Sequence, residues 1–331
     1  MLFSDLPILP SAAVRVGIAK MAAESAFLEE KRRVEYRSLA ARSYIGRCSN
    51  PDLPFQWTLN PYRGCEYGCK YCYARYSHEF MELRNGDDFE TRIFAKQWDR
   101  GAFAEELRRI PHGDCIAIGT VTDPYQSAER RYEITRRMLE VFRDHSTHRR
   151  LWITTKGDLV ARDAVLLADI AARQNEVSVN ITITTLDHDL ARQIEPFAPR
   201  PDLRLDAVRE LVKAGVRVCV NCSPLLPLIN DSEASIDAVA SAAREAGATA
   251  FWSNVVFLKP CARAVFFPFL EEHYPRLVKR YREQFHAGAY LKGPYVEAMN
   301  LRVRRIRERH GFDASQARLQ AVPQMSFQWD T

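Results

Sequence analysis

No uninterrupted apolar run in the 331 residues approaches the ~20 that a helix needs to cross a bilayer, so a helical membrane span is excluded as the organising element. A secretory signal is also missing: Arg15 and Lys20 interrupt the N-terminal apolar residues, and no small-residue cleavage site follows. The sequence therefore reads as a cytoplasmic protein with no membrane partner. It has no glycine-rich phosphate loop, nucleophile elbow or HExxH helix, so P-loop, serine-hydrolase and zinc-protease chemistry have no motif to stand on. Charge is close to balance, with 47 Lys and Arg against 42 Asp and Glu. The surplus of +5 permits an anionic partner without demanding one.

What is present is a chain long enough for one catalytic domain with appendages, at 47% hydrophobic and 27% charged residues. Eight cysteines without a secretory signal point to metal or free thiols rather than disulfides. Cys65, Cys69 and Cys72 lie in a C-x3-C-x2-C loop within Asn-Pro-Tyr-Arg-Gly-Cys-Glu-Tyr-Gly-Cys-Lys-Tyr-Cys-Tyr-Ala-Arg, residues 60–75. A [4Fe–4S] cube is normally held by four thiolates, so three leave one iron open. A zinc site closed by His78 or Cys48 is the competing reading. Gly64 and Gly68 let the backbone fold tightly around such a centre. Cys219 and Cys222 lie in a strand-like run, where positions three apart face opposite ways, and read as buried free thiols.

Residues 1–50 form an N-terminal extension, with a helix expected from Ser11 to about Leu39 and Glu29–Arg33 as its solvated face. After Pro51 and Pro54, short apolar runs alternate with helical patterns. Strands are expected at Phe55–Leu59, Cys115–Val121, Leu151–Thr155, Val177–Thr184, Val216–Cys222 and Thr249–Leu258. Helices are expected at Tyr73–Leu83, Ala128–His145, Ala161–Arg173, Leu203–Ala214 and Ser232–Ala246, the last two closed by Gly215 and Gly247. Six βα units make an α/β domain over 51–260 with a parallel sheet, since parallel strands need helical crossovers. Residues 261–331 read as a helical, basic region. Its aromatics (Phe266, Phe267, Phe269, Tyr274, Tyr281, Phe285) and arginines (Arg302, Arg304, Arg305, Arg307, Arg309) are a candidate nucleic-acid surface or a packed helix with a solvated face. Each expected strand ends in polar residues, and in α/β barrels that rim carries the chemistry.

The cysteine loop resembles that of the radical S-adenosylmethionine (SAM) superfamily. Together, Asn60–Cys65, Cys72-Tyr-Ala74, Phe89-Glu-Thr91, Gly119–Gln126 and Thr155-Lys156 look like its branch related to spore photoproduct lyase, over roughly residues 55–290. The resemblance implies a partial (β/α)6 TIM-like barrel with helical extensions at both ends. It implies a [4Fe–4S] cluster on Cys65, Cys69 and Cys72 whose open iron chelates SAM. One electron, from a flavodoxin- or ferredoxin-type donor, would then yield a 5′-deoxyadenosyl radical. Asp123 with Thr122 would contact the methionyl part of SAM, Lys156 its carboxylate, and Thr182 and Asn180 further parts. From the residues alone Asp123 also reads as a turn former and Lys156 as a surface lysine. Tyr71 and Tyr73 match a catalytic tyrosine relay. Thr120 stands where the lyase has its hydrogen-donating cysteine, so thymine-dimer cleavage by that route is not expected unless Cys222 or Cys261 donates instead. The expected function is radical SAM catalysis, with DNA repair or modification as the substrate class. The alternative from another class is a non-catalytic, metal- or cluster-dependent nucleic-acid-binding protein.

Overall fold

The structure, a computed structural model, describes residues 15–31, 33–40 and 42–312. The N-terminal extension departs from the helix expected through Leu39. Residues 11–14 of that expected helix lie outside the described residues; among those described, helix is confined to Gly17–Ala23, and strands β1 (Ala26–Lys31), β2 (Val34–Leu39) and β3 (Ile45–Arg47) follow. The hairpin forms because Tyr36 and Leu39 bury into the body of the protein. Glu29 is not on a solvated helix face: it accepts a hydrogen bond from Tyr132 at 2.8 Å and pairs with Arg131.

Next come β4 (Trp57–Leu59), β5 (Tyr62–Arg63), β6 (Arg92–Lys96), β7 (Cys115–Ile118), β8 (Arg150–Thr155), β9 (Glu176–Thr182), β10 (Arg217–Asn221) and β11 (Ala250–Trp252). A seven-stranded sheet runs β11-β10-β9-β8-β7-β4-β3. All its neighbours are parallel except β3, which lies antiparallel on β4. The six strands expected from the sequence are thus this sheet's parallel members, in chain order. A second sheet, β1-β2-β6-β5, stands beside it.

Register sorts the residues of the parallel strands onto two faces. Ile118, Ile153, Val179 and Val218 align across four strands, and Ile116, Leu151 and Val177 across three. These side chains are 0–5% exposed and share one core with Met138, Phe142, Leu167, Val208 and Ile236 of the covering helices. The opposite face aligns Thr154 with Asn180, and Thr182 with Asn221 and Trp252, all but the buried Thr182 half-exposed. An apolar outer face and a polar inner face are what a partial barrel around a polar lumen requires.

The helices end where side chains intervene. The expected helix 128–145 divides at Glu133, with φ 51°, into Glu129–Tyr132 and Ile134–His145. Buried Glu129 causes the break, because its carboxylate accepts the Thr135 and Arg136 N–H groups at 2.9 and 3.0 Å and caps the second helix. Tyr73–Leu83 is a turn of 3-10 helix, Tyr73–Arg75, and a short helix, Tyr76–Glu79. Gly215 and Gly247, at φ 84° and 90°, follow the ends of Pro201–Lys213 and Glu233–Glu245.

Of the C-terminal region, the described residues are helical, with Pro260–His273, Val278–Gln284 and Pro294–Arg309, and residues 313–331 lie outside the described residues. Phe266, Phe269, Tyr281 and Phe285 are core residues and offer no surface for stacking bases. The basic helix docks through Met299, Val303 and Ile306. Arg302 donates to the Asp231 carbonyl at 2.5 Å, and Arg309 pairs with Asp237 at 2.8 Å and Glu233 at 3.0 Å. No helix among the described residues is long and apolar enough to cross a membrane.

Candidate active site

The cysteine loop leaves the C-terminal end of β4 through β5 and is fixed at both ends. Gly64 at φ 81° leaves no room for a Cβ, which would lie 2.8 Å from the Arg92 carbonyl and 2.9 Å from that of Phe89. Its own carbonyl accepts the Thr122 hydroxyl at 2.5 Å and the Gln126 amide at 3.0 Å. Glu66 accepts the Ala128 N–H at 2.7 Å and the Tyr36 hydroxyl at 2.8 Å. Beneath the loop, buried Arg75 pairs with Glu90 at 2.5 Å and donates to the Cys69 carbonyl at 3.2 Å. Thr122, expected at SAM, thus spends its hydroxyl on holding the loop.

Cys65 and Cys69 are buried, Cys72 is half-buried, and all three are free thiols. Burial raises each thiol, to about 12 for Cys69. Each thiolate would also feel another, Cys65 through Cys69 and Cys72, and Cys69 through Cys72. Two buried thiols and a half-buried one on a single short loop are a donor set suited to a soft, positively charged centre such as an iron–sulfur cluster. Neither proposed zinc-closing residue faces them. Cys48 lies at the other rim, its N–H bonded to the Gln56 carbonyl just before β4 begins. His78 packs edge-on to Phe89 and Phe94 with Nε2 3.0 Å from the Arg92 carbonyl, and burial holds it neutral with a pKa lowered to about 4.

Asp123 and Lys156 share the rim with the cysteines. Asp123 is saturated by the protein: Oδ1 accepts the Thr155 hydroxyl at 2.6 Å and the Tyr125 N–H at 2.9 Å, and Oδ2 the Lys156 N–H at 2.7 Å. It is raised by burial despite these donors. Its carboxylate therefore locks the loop after β7 to the end of β8. Lys156 Nζ stands 5.6 Å from the Tyr71 ring centroid and 4.0 Å from Glu195 Oε1. Burial lowers its pKa, but Cys69 and Glu195 together hold it above its ordinary value. Asn180 and Thr182 lie on the lumen face of β9; Asn180 Nδ2 reaches the Ile153 carbonyl at 3.4 Å. Beside Thr182, Asn221 Oδ1 is buried without a hydrogen-bond partner among the described residues, an acceptor that a ligand donor can satisfy.

The two tyrosines flanking Cys72 diverge. The Tyr71 hydroxyl donates to Glu195 Oε1, which also accepts from Thr184 at 2.5 Å. Arg204, 1% exposed, pairs with Glu195 Oε2 at 2.6 Å and donates to the Thr182 carbonyl at 3.0 Å. Burial raises Glu195, but Arg204, Lys156 and the two hydroxyls more than offset it, so the carboxyl sits below its usual range. The Tyr73 hydroxyl donates to the Thr120 carbonyl at 2.5 Å, and its ring lies 5.0 Å from that of Phe257. The Thr120 hydroxyl is engaged by Asn60 Nδ2 at 3.0 Å. Cys261 Sγ lies 3.7 Å from the Tyr73 carbonyl, whereas Cys222 is sealed behind the Thr184 carbonyl.

Sequence reasoning missed Glu195 and Arg204. Glu195 opens a proline-rich stretch that reads as a loop. Arg204 carried a signal: it shares the buried stripe of its helix with Val208 and Leu211, where an arginine needs a buried anion.

A family model described as the Radical SAM superfamily matches residues 59–238. An uncharacterized protein of Mycobacterium tuberculosis is 35% identical over 272 residues, which cover 82% of this chain and 79% of that protein. Spore photoproduct lyase complexed with dinucleoside spore photoproduct matches at a TM-score of 0.62 and 16% identity, over 83% of this chain and 79% of that one. A mutant of that lyase with bound AdoMet and the same dinucleoside matches at 0.58 and 15%, over the same shares of 83% and 79%. At these identities the structural likeness speaks to the fold. The family match spans more than half of the sequence and places its cysteine loop and parallel strands together: the chain belongs to the radical SAM superfamily.

Proposed function

We propose that the protein is an enzyme that reductively cleaves SAM at a [4Fe–4S] cluster held by Cys65, Cys69 and Cys72, and abstracts hydrogen from a nucleic-acid substrate. When bound, the cluster and SAM supply a 5′-deoxyadenosyl radical after one electron arrives from a flavodoxin- or ferredoxin-type donor. The observation that carries this reading is the set of three free thiols on one strand-end loop, with the Lys156 ammonium 5.6 Å from the ring of Tyr71 beside Cys72.

Lys156 would meet the SAM carboxylate. Of the carboxylates that act on it, Glu195 is at the outer limit of an ion pair at 4.0 Å and Asp123 is taken up by the Thr155 hydroxyl and the Tyr125 and Lys156 N–H groups, so its charge is not consumed. Asp123 would be a positioning residue, setting the direction of Lys156 through the Lys156 N–H. Asn180, Thr182 and Asn221 would line the lumen around the rest of SAM. Tyr71 and Tyr73 would keep the aromatic wall beside Cys72 rigid, each through its hydroxyl bond.

The nucleic-acid half of the proposal is supported by the fold shared with a lyase solved with dinucleoside spore photoproduct. Phe266, Phe269, Tyr281 and Phe285 do not support it, because they belong to the core, while Phe267 and Tyr274 are half-buried and pack against it. Thymine-dimer cleavage by the lyase's own route is not proposed, since Thr120 offers a strong O–H bond, and its hydroxyl both accepts from Asn60 Nδ2 and donates to Asn60 Oδ1. The test is to give the reduced, reconstituted enzyme deuterated UV-irradiated DNA, unmodified DNA and RNA, and to follow deuterium into 5′-deoxyadenosine. Transfer from one of them names the substrate class. Transfer from none contradicts the nucleic-acid assignment.

A further inference from the structure

Arg63 belongs to the Asn-Pro-Tyr-Arg-Gly-Cys stretch, yet nothing described so far uses it. It lies on β5 opposite Phe94 of β6, the position after Tyr62, so its side chain leaves the sheet on the face away from Tyr62 and Glu129. The residue is half-buried. Its Nε is closed off from solvent and unpaired, and among the described residues Arg63 has no hydrogen-bond or ion-pair partner. This is unusual, because burying part of a guanidinium without an acceptor costs free energy that nothing on the page offsets.

No carboxylate among the described residues is seen to act on Arg63, and burial, with Arg63 itself, lowers the neighbouring Lys96 to about 7. Lys96 is on the same face of the sheet, 7% exposed, with Nζ donating to the Ser43 and Tyr44 carbonyls at 3.3 and 3.2 Å. The one carboxylate it feels, Glu106, has its oxygens occupied by the Tyr44 and Ile45 N–H groups and the Ser43 hydroxyl. On another side stands Tyr76, and over its ring, 4.1 Å from the centroid, lies the Lys259 ammonium. His78 faces Arg63 too and is held neutral. Glu79 is the acid near Lys259 and lies at the exposed end of its short helix.

Tyr76 thus carries Lys259 over its ring and lies within electrostatic reach of Arg63, the one cation coming from the N-cap of Pro260–His273 and the other from the strand that leads into the cysteine loop. Both belong to segments that follow the C-terminal ends of parallel strands, β4 and β11, so the cations border the rim on which the cysteines lie. A guanidinium fork with unpaired N–H groups next to an ammonium and a phenol matches a phosphate oxygen set in geometry and charge.

We propose that Arg63, with Lys259 and Tyr76, forms a subsite for a phosphate group of the substrate, away from the reacting carbon. The proposal rests on the function proposed above and names the handle by which that substrate is held. Binding energy taken up at a remote phosphate is a general way to fix the reacting part in place. The phosphate can belong to a nucleic-acid strand or to a free nucleotide, and the two are separable by experiment.

The test uses the reconstituted holoenzyme with SAM and measures binding of a short fluorescein-labelled single strand of DNA, of AMP and of inorganic phosphate, at several salt concentrations. At least one phosphate-bearing probe binds the wild-type protein, and Arg63→Gln weakens it by about tenfold or more and lowers the log K against log salt slope by about one. Arg63→Lys retains the charge without the fork and falls between the two. Iron content and melting temperature of each variant report folding. Should Arg63→Gln fail to fold, Lys259→Gln carries the same expectation with a smaller loss. Binding of the strand alone assigns a nucleic-acid backbone, and binding of AMP assigns a free nucleotide. If no probe binds, or if the folded variants bind all probes as the wild type does, the subsite is wrong. This readout is separate from SAM cleavage, so its failure leaves the proposed chemistry standing, and failure of SAM cleavage is seen without it.

Discussion

Tyr71 and Tyr73 stand on either side of Cys72, and their hydroxyls meet opposite surroundings. Tyr71 enters a closed group of charges, Glu195, Arg204 and Lys156, in which Glu195 and Arg204 are 2% and 1% exposed. Tyr73 enters an aromatic wall with Phe257 and Tyr76, and its hydroxyl ends on a backbone carbonyl. The contrast shows how one short loop serves two demands. One flank supplies fixed charge beside the thiols, where a low dielectric makes each charge count. The other gives an aromatic boundary between the loop and the segments after β11, closed by the Tyr73 hydroxyl on the Thr120 carbonyl and edged by the Lys259 ammonium over Tyr76.

That contrast can be broken from the charged side first. Glu195→Ala leaves Arg204 buried without its carboxylate and should cost about 3–5 kcal/mol of stability in a urea titration of the protein without cluster. A loss below 1 kcal/mol would mean that Arg204 finds water and the flank is not closed. On the aromatic side, His78 is held neutral, with a pKa lowered from 6.5 to about 4 chiefly by burial. The unfolded chain therefore binds a proton in that window that the folded one refuses. Stability should fall by roughly 3 kcal/mol as pH drops from about 6.5 to about 4, and no further below it on this residue's account. His78→Phe should flatten that limb, and an unchanged limb would assign the acid sensitivity elsewhere.

Smaller effects sharpen the comparison. Gly64→Ala strains φ 81° and presses a Cβ onto two backbone carbonyls, so it should cost about 2 kcal/mol or more and reduce iron uptake from both flanks together. Tyr71→Phe removes one of the hydroxyls that hold Glu195, and Tyr73→Phe removes one donor to a carbonyl. The first should exceed the second, which is expected near 1 kcal/mol by thermal melting. Equal losses would erase the distinction between the flanks.

The parallel strands were legible because their apolar, β-branched runs are short and separated by helical patterns, as at Val177–Thr184 between the helices expected at Ala161–Arg173 and Leu203–Ala214, although the intervening helix His188–Ile194 was not seen. The hairpin at 26–39 was not, since Glu29, Glu30, Lys31, Arg32 and Arg33 give no alternation and mimic a solvated helix face. What makes it a strand is tertiary, the burial of Tyr36 and Leu39. In the site, the cysteines and the strand-end Asp123 and Lys156 were visible because spacing marks them. The Tyr71–Glu195 bond spans 124 residues, and no local pattern links its ends. Arg63 was visible as part of a motif, but only its lack of an acceptor shows that it has something left to do.

The most direct measurement is anaerobic reconstitution with iron and sulfide, followed by iron analysis and an assay for 5′-deoxyadenosine from SAM under dithionite. About four irons per chain and SAM cleavage, both lost when Cys65, Cys69 or Cys72 is changed to Ala, are the expected results. A colourless protein holding one zinc and leaving SAM intact, or cleavage that survives loss of any of the three cysteines, would contradict the assignment.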